Sequence, residues 1–272
     1  MGVLDLFKLT GKTAIVTGAG QGIGRGIATG FAEAGANVVL AGINVDHPDQ
    51  SESQLQEVAD GLSSLGVKVL PLATEMRNES DVKTLLARVA TEFGKVDIMV
   101  NNVGGGTIPT PLLELTPERW RASLQENLKT TFLGCRVIGS HMAATGSGAI
   151  VNLAAIAGIG PSPAYAHYAA AKAGVISLTK TFAAELAPEV RVNAIIPYLI
   201  RTQTVDAAMK RNPDLEIEAK GMTPLGRLGT PQEVAALALF LASEGASYVT
   251  GQAVRLTGGA QPGSNLSVAA PK

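Results

Sequence analysis

The sequence predicts an α/β protein: one doubly wound domain over residues 1–272, with a mostly parallel seven-stranded sheet covered by helices on both faces. Three observations carry this expectation. Short, apolar, β-rich runs alternate with helix-patterned stretches, and no internal repeat or long linker interrupts them. Runs such as Asn37-Val38-Val39-Leu40-Ala41 and Ile150-Val151-Asn152-Leu153 are apolar without alternation, as strands buried on both faces are. The composition, 46% hydrophobic but 4% aromatic, requires an aliphatic core, the usual filling around parallel strands.

In chain order, strands are expected over residues 13–17, 37–41, 68–73, 98–101, 149–153, 191–196 and 253–256. Helical patterns fall between them at 22–34, 53–65, 80–93, 117–144, 164–187 and 231–242, and no proline stands in any of them beyond a first position. Residues 197–229 read as irregular, polar and proline-punctuated, which makes them the expected mobile lid over a pocket. The tail, residues 261–272, is rich in Gly, Pro and Ser and is expected to be loose or to pack on a neighbouring subunit.

Composition excludes several function classes. Lys plus Arg number 22 against 23 for Asp plus Glu, so no basic surplus points to nucleic acid or an anionic membrane. The single cysteine, Cys135, excludes a disulfide framework within one chain, and His47, His141 and His167 are too scattered for a zinc cluster, so no metal is expected. The start lacks a charged leader followed by an apolar run, and Leu6 stands where a myristoylated sequence needs Ser or Thr. No run of roughly 18 apolar residues occurs, and a cytoplasmic setting is expected.

The surplus of glycine, 31 residues, is informative by position. Strand 13–17 runs into Gly18-Ala19-Gly20-Gln21-Gly22-Ile23-Gly24 and directly into a helix. Gly18 permits a tight turn, Gly22 lets backbone approach a pyrophosphate, and Gly24 lets the helix lie close to the sheet, as in a Rossmann-type dinucleotide site. The helix N-terminus offers unpaired N–H groups to phosphate. A plain turn is the alternative.

A second pattern concerns proton transfer. A tyrosine with an ordinary pKa near 10 is a poor base, but a lysine one helical turn away can favour its phenolate. Tyr168 and Lys172 have the i, i+4 spacing; Tyr165 and His167 lie nearby, without a lysine four residues on.

Taken in order, Thr17-Gly18-x-x-x-Gly22-x-Gly24, Asn101-Asn102-Val103-Gly104, Tyr168-x-x-x-Lys172, and Thr250-Gly251-Gln252 with Gly258-Gly259 resemble the classical short-chain dehydrogenase/reductases over nearly the whole chain. The resemblance implies NAD or NADP as cofactor, held by Gly18, Gln21, Gly22, Ile23, Gly24 and Gly42, with Glu75 and Met76 bracketing the adenine and Asn102 on the ribose side. It places Ile200 and Thr202 at the nicotinamide amide, Tyr168 as acid/base, Lys172 as its tuner and ribose ligand, and Asn127 as the residue that orders a water in the proton relay. Core packing is the plainer reading of Met76 and Ile200.

Gly42 stands where an NAD-selecting acid is expected, and Ile43 where an NADP-selecting arginine often occurs. Absence of the repelling acid tilts the expectation to NADP. Arg25 lies near the phosphate loop, where a surface role and a phosphate role are both open.

The resemblance also exposes a departure. The family's serine lies thirteen residues before the tyrosine, and that position is Ala155, preceded by Ala154. Losing one donor to the developing oxyanion typically lowers turnover roughly 10²- to 10³-fold. Tyr198 follows Pro197 where the family has glycine; it, or else Ser162 or Tyr165, could supply the donor, and Tyr198 could equally be a pocket-filling aromatic.

The expected function is therefore an NAD(P)-dependent oxidoreductase interconverting a secondary alcohol and a ketone. The alternative is a catalytically impaired dinucleotide-binding sensor or structural protein. The weakly charged segments around Gly104-Gly105-Gly106-Thr107 and residues 197–229 point to a moderately apolar small-molecule substrate. The resemblance further implies a homotetramer built on the helices at 117–144 and 164–187.

Overall fold

The computed structural model describes residues 2–43, 48–105 and 108–263. Its strands are β1 (Thr13–Thr17), β2 (Asn37–Gly42), β3 (Val69–Ala73), β4 (Ile98–Asn101), β5 (Gly148–Leu153), β6 (Val190–Pro197) and β7 (Ala253–Leu256). They form one seven-stranded sheet in the order β3-β2-β1-β4-β5-β6-β7, every pair parallel. The helices are α1 (Gly22–Glu33), α2 (Ser51–Ser63), α3 (Glu79–Phe93), α4 (Pro117–Leu124), α5 (Thr130–Thr145), α6 (Ala166–Glu185), α7 (Gln203–Arg211), α8 (Asp214–Gly221) and α9 (Pro231–Ala242).

Alternate residues of each strand feed opposite layers, as the two-residue period of a strand requires. Ala14, Val16, Val38, Leu40 and Val100 pack with Ile27 and Phe31 of α1, Val58 of α2 and Val234 of α9. Ile15, Val39, Met99 and Ile150 pack with Val82 and Leu85 of α3, Leu133 and Ile138 of α5 and Ala183 of α6. The doubly wound architecture read from the sequence is the one observed.

Three local readings change. The single helix expected at 117–144 is broken: a π-helical turn, Gln125–Lys129, separates α4 from α5. Side chains there take over backbone acceptors, with Asn127 Nδ2 donating to the Ser123 carbonyl (3.2 Å) and Thr130 Oγ1 to that of Glu126 (2.7 Å). Second, residues 197–229 are not irregular throughout. They hold α7, whose first turn is capped by Thr202 Oγ1 accepting from the Val205 N–H, and α8; both close on a small core of Met209, Ala219 and Leu228. Third, α6 starts at Ala166 because Ala164 takes a left-handed conformation (φ 64°) while its carbonyl accepts the Thr110 N–H at 2.8 Å.

The start of the tail packs within the chain. A Cβ at Gly160 would lie 2.5 Å from Pro262 Cβ, so Pro262 crosses directly over Gly160. The rest of the tail, residues 264–272, lies outside the described residues, as do Asn44 and His47.

Candidate active site

Strand order reverses between β1 and β4, and the crevice beyond the carboxyl ends of these strands is where open α/β sheets bind ligands. Gly18 leaves β1 with φ 64° and Gly22 enters α1 with φ 55°, conformations costly for any residue with a Cβ. A Cβ at Gly24 would stand 2.1 Å from the Gly18 carbonyl oxygen, so only glycine lets α1 sit on the turn. Gln21, at the N-cap of α1, makes no side-chain cap, and no acid occupies the first turn. The amide ends and the positive helix terminus therefore face the crevice free of an internal anion, an arrangement that fits a dinucleotide pyrophosphate. Ile23, between the two glycines, is partly buried against the adjoining core.

The segment after β4 joins this turn to the opposite half of the crevice. Asn102 Nδ2 donates to the Thr17 and Gly18 carbonyls (2.9 and 3.3 Å), and the Asn102 N–H donates to Thr17 Oγ1 (2.9 Å). Two residues on, a Cβ at Gly104 would meet Asn127 Oδ1 at 2.6 Å and Lys172 Nζ at 3.1 Å. Gly104 thus lets β4's exit touch the glycine turn on one side and the Asn127–Lys172 pair on the other.

Asn127 is fully buried in the π-helical turn, where its Oδ1 accepts the Gly105 N–H at 2.8 Å. Such wide turns recur at functional sites. Lys172 is 3% exposed; its Nζ donates to the Leu153 carbonyl (2.9 Å) and stands 5.7 Å from the centre of the Tyr168 ring. The i, i+4 spacing brings the two side chains together as expected. Their electrostatics differ from the simple expectation, because burial works against both charged forms. It pushes the Tyr168 phenol up to about 12 and the Lys172 ammonium down to about 8, with Glu126 pulling the latter back up.

Ala154 and Ala155 diverge. Ala154 packs in an aliphatic cluster with Ile156, Val175, Ala194 and Ile196, whereas Ala155, 8% exposed and in extended backbone, is in none of the clusters. Of the three hydroxyls considered as substitutes, that of Tyr198 donates to Met222 Sδ at 3.2 Å. Ser162 Oγ donates to the carbonyls of Ala157 (3.3 Å) and Gly160 (3.5 Å). The Tyr198 side chain packs against the cluster that holds Ala154 and Ile156, and its hydroxyl is engaged at the C-cap of α8. Tyr165 keeps a hydroxyl without a hydrogen bond among the described residues, and burial raises its phenol.

On the adenosine side, Gly42 ends β2 with φ 145°, and a Cβ there would lie 3.2 Å from the Gly18 nitrogen. A side chain at this position would be strained and would press on the glycine turn. Glu75 is occupied by Arg77, whose Nε and terminal nitrogen reach its two oxygens at 2.9 and 2.5 Å and hold the carboxyl below its usual range. The Met76 side chain is in the core beside α3 and α5, and Ile200 is in the core against Gly229. Thr202 turns its methyl to Gly22, where a Cβ would be 3.3 Å away. Arg25 faces Glu57 of α2 at 3.9 Å, an exposed pairing.

Reading the sequence missed two residues that shape the site. Gly158 packs on α6 at Lys172, where a Cβ would stand 2.7 Å from the Lys172 carbonyl carbon. Asn152 joins Asn101 (2.8 Å) to Thr179 (3.0 Å) beneath the crevice. A buried asparagine in each of two neighbouring apolar strands was the available signal.

Comparison with known proteins agrees with this architecture. A family model described as enoyl-(acyl carrier protein) reductase matches residues 18–261. The 3-oxoacyl-(acyl-carrier-protein) reductase of Thermotoga maritima is 37% identical over 253 residues, 93% of this chain and 98% of that protein. An NAD-dependent glycerol dehydrogenase of Listeria innocua is 35% identical over 254 residues, 93% of this chain and 95% of its own. Among solved structures, a 7α-hydroxysteroid dehydrogenase complexed with NADH and 7-oxo-glycochenodeoxycholic acid superposes with a TM-score of 0.88 at 33% identity, covering 97% of this chain and 100% of that one. A 3-oxoacyl-(acyl-carrier-protein) reductase from Agrobacterium tumefaciens C58 with NADP bound gives 0.86 at 31% identity, covering 95% and 98%. The chain belongs to the classical short-chain dehydrogenase/reductase family. It is a nicotinamide-dependent oxidoreductase, with relatives using either form of the cofactor.

Proposed function

We propose that the chain reduces a ketone to a secondary alcohol, or runs the reverse, with Tyr168 as the acid/base. The observation that carries this is the meeting of Asn127 and Lys172 at Gly104, one short segment from the glycine turn, with the Tyr168 ring beside Lys172. Bound nicotinamide supplies or accepts the hydride. Gly18, Gly22 and Gly24, with the first turn of α1, would hold its pyrophosphate; Lys172 and Asn102 would face its ribose. Gly42 and Glu75 would line the adenosine end, with Met76 and Ile200 acting through the walls they build and Thr202 closing over Gly22.

In reduction, the Tyr168 hydroxyl gives its proton to the carbonyl oxygen as charge develops there. The Lys172 ammonium stabilises the resulting phenolate, and its hydrogen bond to the Leu153 carbonyl fixes its reach. NADP is the favoured form, because Gly42 carries no acid to repel a 2′-phosphate. Residues 197–229 act as the lid. Ile217 and Leu225, exposed on that segment, support a moderately apolar substrate. A homotetramer in the cytoplasm belongs to the same reading and is tested by light scattering and fractionation.

The deciding experiment is calorimetric titration with NADPH and NADH, followed by turnover of a panel of ketones and alcohols by the wild type and Tyr168→Phe. Turnover lost in the variant with cofactor affinity intact supports the reading. Cofactor binding with no turnover across the panel favours a sensor, for which the missing hydroxyl at Ala155 is the supporting observation. Binding of neither cofactor refutes both.

A further inference from the structure

Gly20, in the middle of the glycine turn, is required by neither of the constraints that fix its neighbours. It does not take the left-handed conformation of Gly18 and Gly22, and it does not separate α1 from the turn as Gly24 does. The three atoms nearest a Cβ at this position all belong to Gln54 of α2: Oε1 at 3.0 Å, Cδ at 3.1 Å and Cγ at 3.4 Å. Glycine at position 20 therefore leaves room for the Gln54 amide to lie against the turn.

The part of the turn that Gln54 covers adjoins the adenosine end of the crevice. The Ala41 carbonyl, at the end of β2, accepts the N–H groups of Gly18 and Ala19 (2.8 and 3.5 Å). The turn is thus docked on the strand end where a dinucleotide-binding chain selects its ribose. Gly42 follows there without a side chain, and Ile43 is apolar. Gln54 stands in the first turn of α2, the helix after β2, and its neighbour Leu55 is buried in the core shared with α1. Gln54 itself is half-buried, and its amide makes no hydrogen bond among the described residues.

Charges beside it are paired. Arg25, in the first turn of α1, faces Glu57, one turn beyond Gln54 on α2, at 3.9 Å. Gln21, at the N-cap of α1, is uncharged. The polar group set over Gly20 is consequently a neutral amide, with two N–H donors and an acceptor oxygen.

We propose that Gln54 is the residue that reads the 2′ position of the adenosine ribose, in place of the acid or the arginine that Gly42 and Ile43 do not supply. This rests on the oxidoreductase reading above and adds to it a residue from a different element. An amide can exchange hydrogen bonds with a 2′-hydroxyl and can donate to a 2′-phosphate, whereas a carboxylate would repel the phosphate. Gln54 therefore admits both cofactors, and the charge-assisted bond to phosphate gives NADPH a moderate advantage.

The test is calorimetric binding of NADPH and NADH to the wild type, Gln54→Glu, Gln54→Lys and Ser53→Glu. Ser53 is exposed and its hydroxyl donates to the Gln50 carbonyl, so Ser53→Glu adds the same charge to the same helical turn one position away from the contact with Gly20. Gln54→Glu should weaken NADPH at least about tenfold while NADH stays within about threefold, and Gln54→Lys should tighten NADPH by about three- to tenfold. Ser53→Glu should leave the ratio of the two affinities within about twofold, since a charge on the exposed face is screened. Thermal unfolding without cofactor checks that each variant is folded. A ratio that Gln54→Glu shifts by less than about threefold, or that Ser53→Glu shifts equally, overturns the proposal and leaves the oxidoreductase reading in place. Failure of the wild type to bind either dinucleotide takes down both.

Discussion

Returning a hydroxyl to position 155 probes the site at its main departure from the family. Ala155 has extended backbone (φ −162°, ψ 158°), which serine adopts freely, and it belongs to none of the described aliphatic clusters, so Ala155→Ser adds one atom without removing a cluster contact. At 8% exposure the new hydroxyl is partly desolvated, which bounds the stability cost at about 1–3 kcal/mol if it finds no partner. Its benefit is concentrated in the transition state. A donor aimed at developing oxyanion charge is worth about 2.7–4 kcal/mol, so kcat for ketone reduction should rise roughly 10²- to 10³-fold with KM changed only a few-fold. The assay is steady-state consumption of reduced nicotinamide over the ketone panel, with thermal unfolding as the control for folding. A gain under about threefold would refute the reasoning, because it would mean the oxygen already has a donor. Tyr165→Phe then identifies that donor: its hydroxyl is the unengaged one of the three considered.

Four further outcomes are expected. Between about pH 8 and 10.5 Lys172 is neutral when folded and charged when unfolded, so the unfolded state binds more protons and stability rises with pH by roughly 3 kcal/mol; Lys172→Met should flatten that rise in pH-dependent denaturation. Tyr168 acts oppositely between 10 and about 12, where the folded state keeps its proton and stability falls, a decline that Tyr168→Phe removes. Gly24→Ala drives a Cβ into the Gly18 carbonyl, and should cost about 1–3 kcal/mol in denaturant midpoints and weaken NADPH binding by calorimetry at least about tenfold. Tyr198→Phe loses only the contact to Met222 Sδ and should leave kcat within about twofold.

The sheet was legible because its strands are buried on both sides, and burial is written into unbroken apolar runs such as Val38-Val39-Leu40-Ala41. The glycine turn was legible for a different reason: Gly18, Gly22 and Gly24 are needed by backbone geometry alone, before any ligand binds. By contrast, α7 and α8 are two-turn helices flanking Pro213, closed on a core of a few side chains, so their pattern is too short to stand out from the polar residues around it. The π-helical turn at Asn127 was hidden because its cause is a side chain competing for the Ser123 carbonyl, a contact without periodic signature.

The same distinction separates residues within the site. Spacing placed Tyr168 and Lys172 on one helix face, but their charge states follow from enclosure by Leu153, Gly104 and Gly158, residues distant in sequence or lacking any side chain. Enclosure raises the cost of every charge there, and a lysine pushed down to about 8 can both lose and regain a proton near neutrality. An acid/base pair so enclosed is shielded from bulk water, so its proton affinities are set by the fold packed around it rather than by the spacing of the two residues.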